Sequence, residues 1–177
     1  IFRRSVSQKR RFMSKEFLDP RDIKSKTLAE LREELGTLGL PKYRADQVYS
    51  WLHRGVTDFS QMSNLSKALR EDLAQRYTIA WAEIRQKQVS KDGTVKYLFR
   101  LPDGEHVESV LMRYHHGTSI CISTQVGCKM NCSFCATGKS GFSRNLSASE
   151  ILSQVQAASL DEGERISHIV LMGMGEP

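Results

Sequence analysis

Three thiols stand within eight residues in the segment Cys128-Lys-Met-Asn-Cys132-Ser-Phe-Cys135. The fourth cysteine of the chain, Cys121, lies seven residues upstream. Gaps of three and two residues let a short loop wrap its sulfurs around one inorganic core. Three thiolates on a four-iron cluster leave one iron without a protein ligand. An open metal position is what separates a reactive site from a closed structural one. A zinc site using all four cysteines is the alternative. Zinc ribbons and knuckles usually present paired Cys-x-x-Cys or Cys/His hooks separated by a longer arm, and this spacing argues against them. Secreted disulfide scaffolds spread their cysteines along the chain, so the tight group points to metal ligation in a reducing compartment.

Such a loop needs elements to hold it. Thr27 and Glu30 form a capping box ahead of Leu28, Leu31, Leu35 and Leu38 at helical spacing, and Gly36 and Gly39 end the segment. Pro41 precedes a second helix over about 43–54, with Val48, Trp51 and Leu52 on one face. A third helix over about 66–76 buries Leu65, Leu69 and Leu73. Together these predict a small helical domain over 20–78. The period then changes to two. Val95, Tyr97, Phe99 and Leu101 alternate with Thr94, Lys96, Leu98 and Arg100 between turns at Asp92-Gly93 and Asp103-Gly104. A hairpin linker is expected over 79–113, with further strands over 107–114 and 119–126.

Helix returns at a capping box, Ser147 with Glu150, and runs through Ile151, Leu152, Val155 and Ala158 to Gly163. The apolar run 166–172 reads as a strand buried on both faces, with His168 a core histidine rather than a ligand. His115 and His116 fall in a turn and carry no metal role. Strand, cysteine loop, helix and strand make a βαβ unit, which implies an α/β class with a parallel sheet over 114–177.

The chain is 40% hydrophobic and 26% charged, a soluble globular balance. No run of 18 apolar residues occurs, so no membrane helix is expected. The net charge of +6 suggests nucleic acid, but its distribution weakens that reading. Six basic residues and no acid lie in residues 1–15, leaving 20 basic against 20 acidic residues elsewhere. Local patches can still bind RNA. The sequence opens on Ile1, with Met13 a candidate start. The basic extension over 1–19 reads as appended or upstream sequence, a basic tail or a transit-like peptide.

Cys-x-x-x-Cys-x-aromatic-Cys, with Phe134 in the aromatic slot, resembles the radical S-adenosylmethionine (SAM) signature. Cys121-Ile-Ser-Thr-Gln-Val-Gly-Cys128, Gly141-Phe-Ser-Arg-Asn-Leu146 and Met172-Gly-Met-Gly-Glu-Pro177 resemble the RlmN-type adenine C2-methyltransferases. Tyr43 to His53 and Met62 to Glu71 resemble that family's N-terminal helical domain. The likeness covers about 20–177, with the motifs in the family's order. A sister family acting at C8 typically carries Ala where this chain has Pro177.

The resemblance implies a helical RNA-docking domain followed by the start of a radical-SAM partial (β/α)6 barrel, running here through its second strand. It implies a [4Fe-4S] cluster on Cys128, Cys132 and Cys135, and SAM held by Gly175 and Glu176 with Phe134 near its adenine. Glu108 would be the proton acceptor; flanking Val107 and Val110 would raise its pKa. Cys121 would form a transient disulfide with a methyl-carrying cysteine outside these residues, releasing the RNA. It further implies 23S rRNA and tRNA as substrates, an electron donor such as flavodoxin, a monomer and a cytoplasmic location. Arg144 and Asn145 would shape the loop without a catalytic role. A non-enzymatic zinc module that binds RNA is the rival class.

Overall fold

The computed structural model describes residues 19–177. The basic extension and Met13 fall outside the described residues, apart from Asp19 at the boundary. Three helices come first: α1 (Leu28–Thr37), α2 (Lys42–His53) and α3 (Lys67–Arg76). The expected capping box starts α1. The Thr27 hydroxyl accepts from the Glu30 amide, and the Glu30 carboxylate accepts from the Thr27 amide. Ser66 caps α3 by accepting from the Leu69 amide. Leu31, Leu35, Val48, Leu52, Leu65 and Leu73 close one core with Ile23, Phe59, Met62 and Tyr77. Trp51 and Leu69 are only partly buried. The Trp51 indole N–H reaches outward to Asn64 Oδ1 at 2.6 Å, which keeps the ring at the rim.

The remaining elements, in chain order, are β1 (Glu83–Val89), β2 (Val95–Arg100), β3 (His106–Tyr114), β4 (Gly117–Cys121), β5 (Gln125–Gly127), α4 (Ala136–Lys139), β6 (Phe142–Asn145), α5 (Ala148–Glu162) and β7 (Ile166–Val170). Five strands form one sheet in the order β1-β2-β3-β4-β7. The first three pairings are antiparallel and β4 pairs with β7 in parallel, as the βαβ reading requires. Val95, Tyr97, Phe99 and Leu101 are all buried, so the period-two reading holds along β2.

The structure departs from the sequence pattern in three places. The strand expected over 119–126 is two strands in two sheets, because the chain turns at 122–124. There the Thr124 and Gln125 amides both donate to the Met174 carbonyl, at 2.9 and 3.1 Å, and β5 pairs with β6 instead. Helix α5 buries Ser149, Glu150, Ser153, Gln154, Ala157 and Ala158, while Ile151, Leu152 and Val155 are only partly buried. Its inner face serves a polar network, described below. Last, β7 is exposed rather than buried on both faces, and His168 is an exposed residue with its ring 5.3 Å from that of His116. Among the described residues β7 is the last strand of its sheet, so its outer edge has no partner strand there.

The C-terminal end of α5 is tied to the hairpin by charge. Tyr97 Oη donates to Glu162 at 2.6 Å, Lys87 Nζ lies 2.6 Å from the same carboxylate, and Arg113 reaches it at 2.5 Å. The hydrogen bond from Lys87, with those from Tyr97 and Arg113, pulls the Glu162 carboxyl down to about 2. A depressed carboxyl stabilises the fold above its unfolded value and loses that contribution as pH falls toward 2. Glu162→Gln is therefore expected to cost roughly 1–3 kcal/mol at neutral pH. The cost should shrink progressively below about pH 4, which thermal melts at several pH values will measure.

Candidate functional site

The cysteine loop hangs from a two-stranded ribbon. Gln125 pairs with Asn145, Val126 with Arg144 and Gly127 with Phe142. The Cys128 amide then donates to the Gly141 carbonyl at 3.1 Å, closing the neck of the loop. Gly127 sits at φ +76°, where a Cβ would lie 1.8 Å from the Gly141 oxygen, so only glycine fits. Within the loop the Cys135 amide donates to the Cys132 carbonyl at 3.1 Å. Cys135 immediately precedes the short helix α4. The amides of Gly138 and then Thr137 hold its thiol below the usual cysteine range. Phe134 is 90% exposed beside these sulfurs and fills no core.

All four cysteines are free and no disulfide joins any two of them; the bond expected at Cys121 was to a cysteine outside these residues. Cys121 is the last residue of β4 and pairs with Val110 of β3. Val107, Leu111 and Ile120 pack toward α5, and Ser109 hydrogen-bonds to Gln154 on it. Alternation therefore puts Glu108, Val110 and Cys121 on the opposite face. Glu108 is a diagonal neighbour of Cys121, at a separation of roughly 7–8 Å for such pairs. The apolar setting expected for Glu108 is absent. Val107 points to the other face, and the Glu108 side chain is 46% exposed with Lys96 Nζ 2.9 Å from its carboxylate. A 120 Å³ open pocket lined by Gln86, Gln88, Lys96, Leu98 and Glu108 lies at this point.

After β7 the chain crosses the ends of β4 and β5. The Met174 amide donates to Ser123 Oγ at 2.8 Å and the Glu176 amide to Gln125 Oε1 at 3.2 Å. Gly175 has φ +107°, and a Cβ there would meet the Gln125 Cβ at 2.6 Å. Its glycine requirement thus comes from contact with Gln125. Glu176 is exposed. Cys121, the cysteine loop and Gly175-Glu176 gather at the carboxyl ends of the parallel strands, where sheets of this class place their ligands.

Residues 22–79 match the family described as ribosomal RNA large subunit methyltransferase N-terminal domain. A protein of Lachnoclostridium phytofermentans named probable dual-specificity RNA methyltransferase RlmN is 53% identical over 158 residues, 88% of this chain and 44% of its own length. Its namesake in Alkaliphilus oremlandii is 50% identical over 157 residues, 88% of this chain and 46% of its own. The crystal structure of a radical SAM methyltransferase from Sphaerobacter thermophilus matches with a TM-score of 0.81 at 45% identity, over 89% of this chain and 48% of that one. The chain belongs to the RlmN family of radical SAM methyltransferases. It spans about half the length of the curated relatives it matches. The expected fold, a helical part followed by an α/β sheet of radical SAM type, is borne out.

A radical SAM family implies a [4Fe-4S] cluster and SAM. Among the described residues no three His, Cys, Asp or Glu side chains are gathered closely enough to hold a metal ion. The donor set nevertheless fits a cluster. Cys128, Cys132 and Cys135 are free and half-exposed, they share one loop with a closed neck, and backbone amides favour the thiolate at Cys135. Ligands of this kind converge when the metal group arrives, because loading and ordering are one equilibrium.

Behind the RlmN-type loop stands a polar network that the sequence reading missed. Gln154, fully buried, accepts from Ser109 Oγ at 2.8 Å and from the Ser123 amide at 2.9 Å, and its Nε2 donates to the Ser123 carbonyl at 2.9 Å. Ser123 Oγ donates to the Glu108 carbonyl at 2.6 Å. The turn between β4 and β5 is thereby fixed to both β3 and α5. The available signal was the polar residues Ser149, Ser153 and Gln154 at helical spacing along one face of the helix.

Proposed function

We propose that the whole protein is a radical SAM enzyme that methylates C2 of adenine in 23S rRNA and tRNA. The observation that carries this reading is the placement of Glu108 and Cys121 on one sheet face, with Cys121 at the strand end that leads toward the loop of three free thiols. Cys128, Cys132 and Cys135 hold the cluster, and Gly175, Glu176 and Phe134 line the SAM site. Together, cluster and SAM supply the one-electron chemistry that an electron-poor aromatic carbon requires. Glu108 accepts the C2 proton when aromaticity returns, with Lys96 holding the carboxylate in place. Cys121 then attacks the sulfur of a methyl-carrying cysteine outside these residues. A sulfur–sulfur bond forms, the carbon–sulfur pair stays with the carbon and takes a proton, and methylated RNA leaves. The enzyme acts as a cytoplasmic monomer served by an electron donor such as flavodoxin. No helix of the described residues is long and apolar enough to cross a membrane.

Residues 20–78 form the RNA-docking domain, residues 79–113 the hairpin linker and residues 114–177 the start of the catalytic core. Exposed Lys42 and Lys67 on the first of these contact phosphates, with Arg44 beside Tyr43. Arg70, a further candidate for that role, is drawn inward, donating to the Ser60 carbonyl at 2.5 Å, so it serves the fold. Binding of structured RNA by the full-length protein is expected to weaken linearly in log–log plots against salt. Replacing Lys42 and Lys67 with Ala should reduce that slope by roughly 0.7–0.9 for each phosphate no longer neutralised. An unchanged slope removes both residues from the interface.

The reading is tested by incubating full-length protein with SAM, reductant and RNA, then analysing the nucleosides by mass spectrometry and NMR. 2-Methyladenosine is the expected product. 8-Methyladenosine would assign the sister activity, and RNA binding without methylation would support the zinc module.

A further inference from the structure

Arg144 is 7% exposed on β6, opposite Val126 of β5. Its two terminal nitrogens donate to the two carboxylate oxygens of Glu150, both at 2.8 Å. Its Nε donates to Asp103 Oδ2 at 2.8 Å, and one terminal nitrogen also reaches the Asn145 carbonyl at 3.0 Å. Glu150 is 2% exposed and also accepts from the Ser147 amide at 2.9 Å. One guanidinium therefore joins β6, the first turn of α5 and the turn between β2 and β3. Burying such a group gives little net stability, since apolar side chains of equal volume hold packing as well or better. What a planar bidentate fork adds is a single geometry.

That geometry is delivered to the cysteine loop. The loop leaves the ribbon through Gly127 on β5 and returns to it through Phe142 on β6, and the Cys128 amide is bonded to Gly141. Residues 128–141, which carry all three thiols, thus hang from two strand ends. The fork anchors the returning strand two residues beyond Phe142, while Gln154 and Ser123 fix the turn into the outgoing one.

We propose that Arg144, held by Glu150 and Asp103, is the positioning residue of the cysteine loop. It fixes the register of β6 on β5 so that Cys128, Cys132 and Cys135 converge on one cluster. The inference rests on the cluster reading above.

Full-length wild type, Arg144→Lys and Glu162→Gln are compared by circular dichroism, thermal melting, iron and sulfide content after anaerobic reconstitution, and the EPR spectrum of the reduced cluster. Arg144→Lys keeps the charge and loses the fork. It is expected to fold, to load its cluster with roughly 10-fold weaker apparent affinity, and to give a shifted or broadened EPR signal. Glu162→Gln, destabilised at a distance from the loop, is expected to melt earlier with wild-type loading and spectrum. If Arg144→Lys also melts earlier with wild-type loading and spectrum, Arg144 only stabilises the fold and the inference is overturned. A wild-type protein that takes up no cluster would instead overturn the functional reading. Should Arg144→Lys not fold, Asp103→Ala carries the same test, since it removes one arm and keeps the pair with Glu150. A smaller shift in the same direction is then expected, and a wild-type spectrum and loading overturn the proposal.

Discussion

In the full-length enzyme, Cys121→Ala is expected to cleave SAM and then stop within a single turnover, with RNA covalently attached to the protein. Glu108→Gln is expected to stop one step earlier and to lose roughly 10²–10⁴-fold in turnover, the range for removing a general base. The motivation is geometric. The two side chains share one face of the sheet at diagonal positions, yet Cys121 belongs to β4 and not to the loop that carries the other thiols. Without Cys121 no thiolate displaces the sulfur that holds the RNA. Glutamine keeps the size of Glu108 and an oxygen facing Lys96 but cannot accept the proton at neutral pH. A denaturing gel after incubation with RNA and SAM separates the outcomes. A shifted protein–RNA band is expected for Cys121→Ala. Full conversion to methylated adenine by that variant would return Cys121 to the status of an ordinary strand residue.

The second large effect concerns the loop itself. Anaerobically reconstituted protein is expected to show a broad charge-transfer absorption at roughly 400 nm, as thiolate-ligated iron–sulfur clusters do. Replacing Cys128, Cys132 or Cys135 with Ala should abolish it, because each removes one of only three protein ligands. Cys121→Ala should leave it intact. Loss of the absorption in that variant would transfer Cys121 to the ligand set and bring back a four-cysteine site.

Features that depend on a few adjacent residues were legible in the sequence. The capping boxes at Thr27 and Ser147 and the alternation along β2 are local chemistry, and they stand as read. Features set by distant partners were not. Thr124 and Gln125 leave the strand because Met174, about 50 positions away, offers its carbonyl. Ser149, Ser153 and Gln154 displace Ile151 and Val155 from the buried face of α5 because their partners are Asp22, Lys24, Ser109 and Ser123. Glu108 lies between two valines in sequence but beside Lys96 across the strand, so its neighbours along the chain misreport its surroundings. Arg144 read as a loop residue; only the fold brings Asp103 and Glu150 to it. At the site, the cysteine spacing and the family motifs carried the chemistry, and the structure added which face and which strand end each residue occupies.

Iron, acid-labile sulfide and zinc measured together on the anaerobically reconstituted protein test the cluster assignment most directly. About four irons and four sulfides per chain are expected, falling to near zero in Cys132→Ala and unchanged in Cys121→Ala. A colourless protein with about one zinc per chain, lost in Cys121→Ala as readily as in Cys132→Ala, would contradict it.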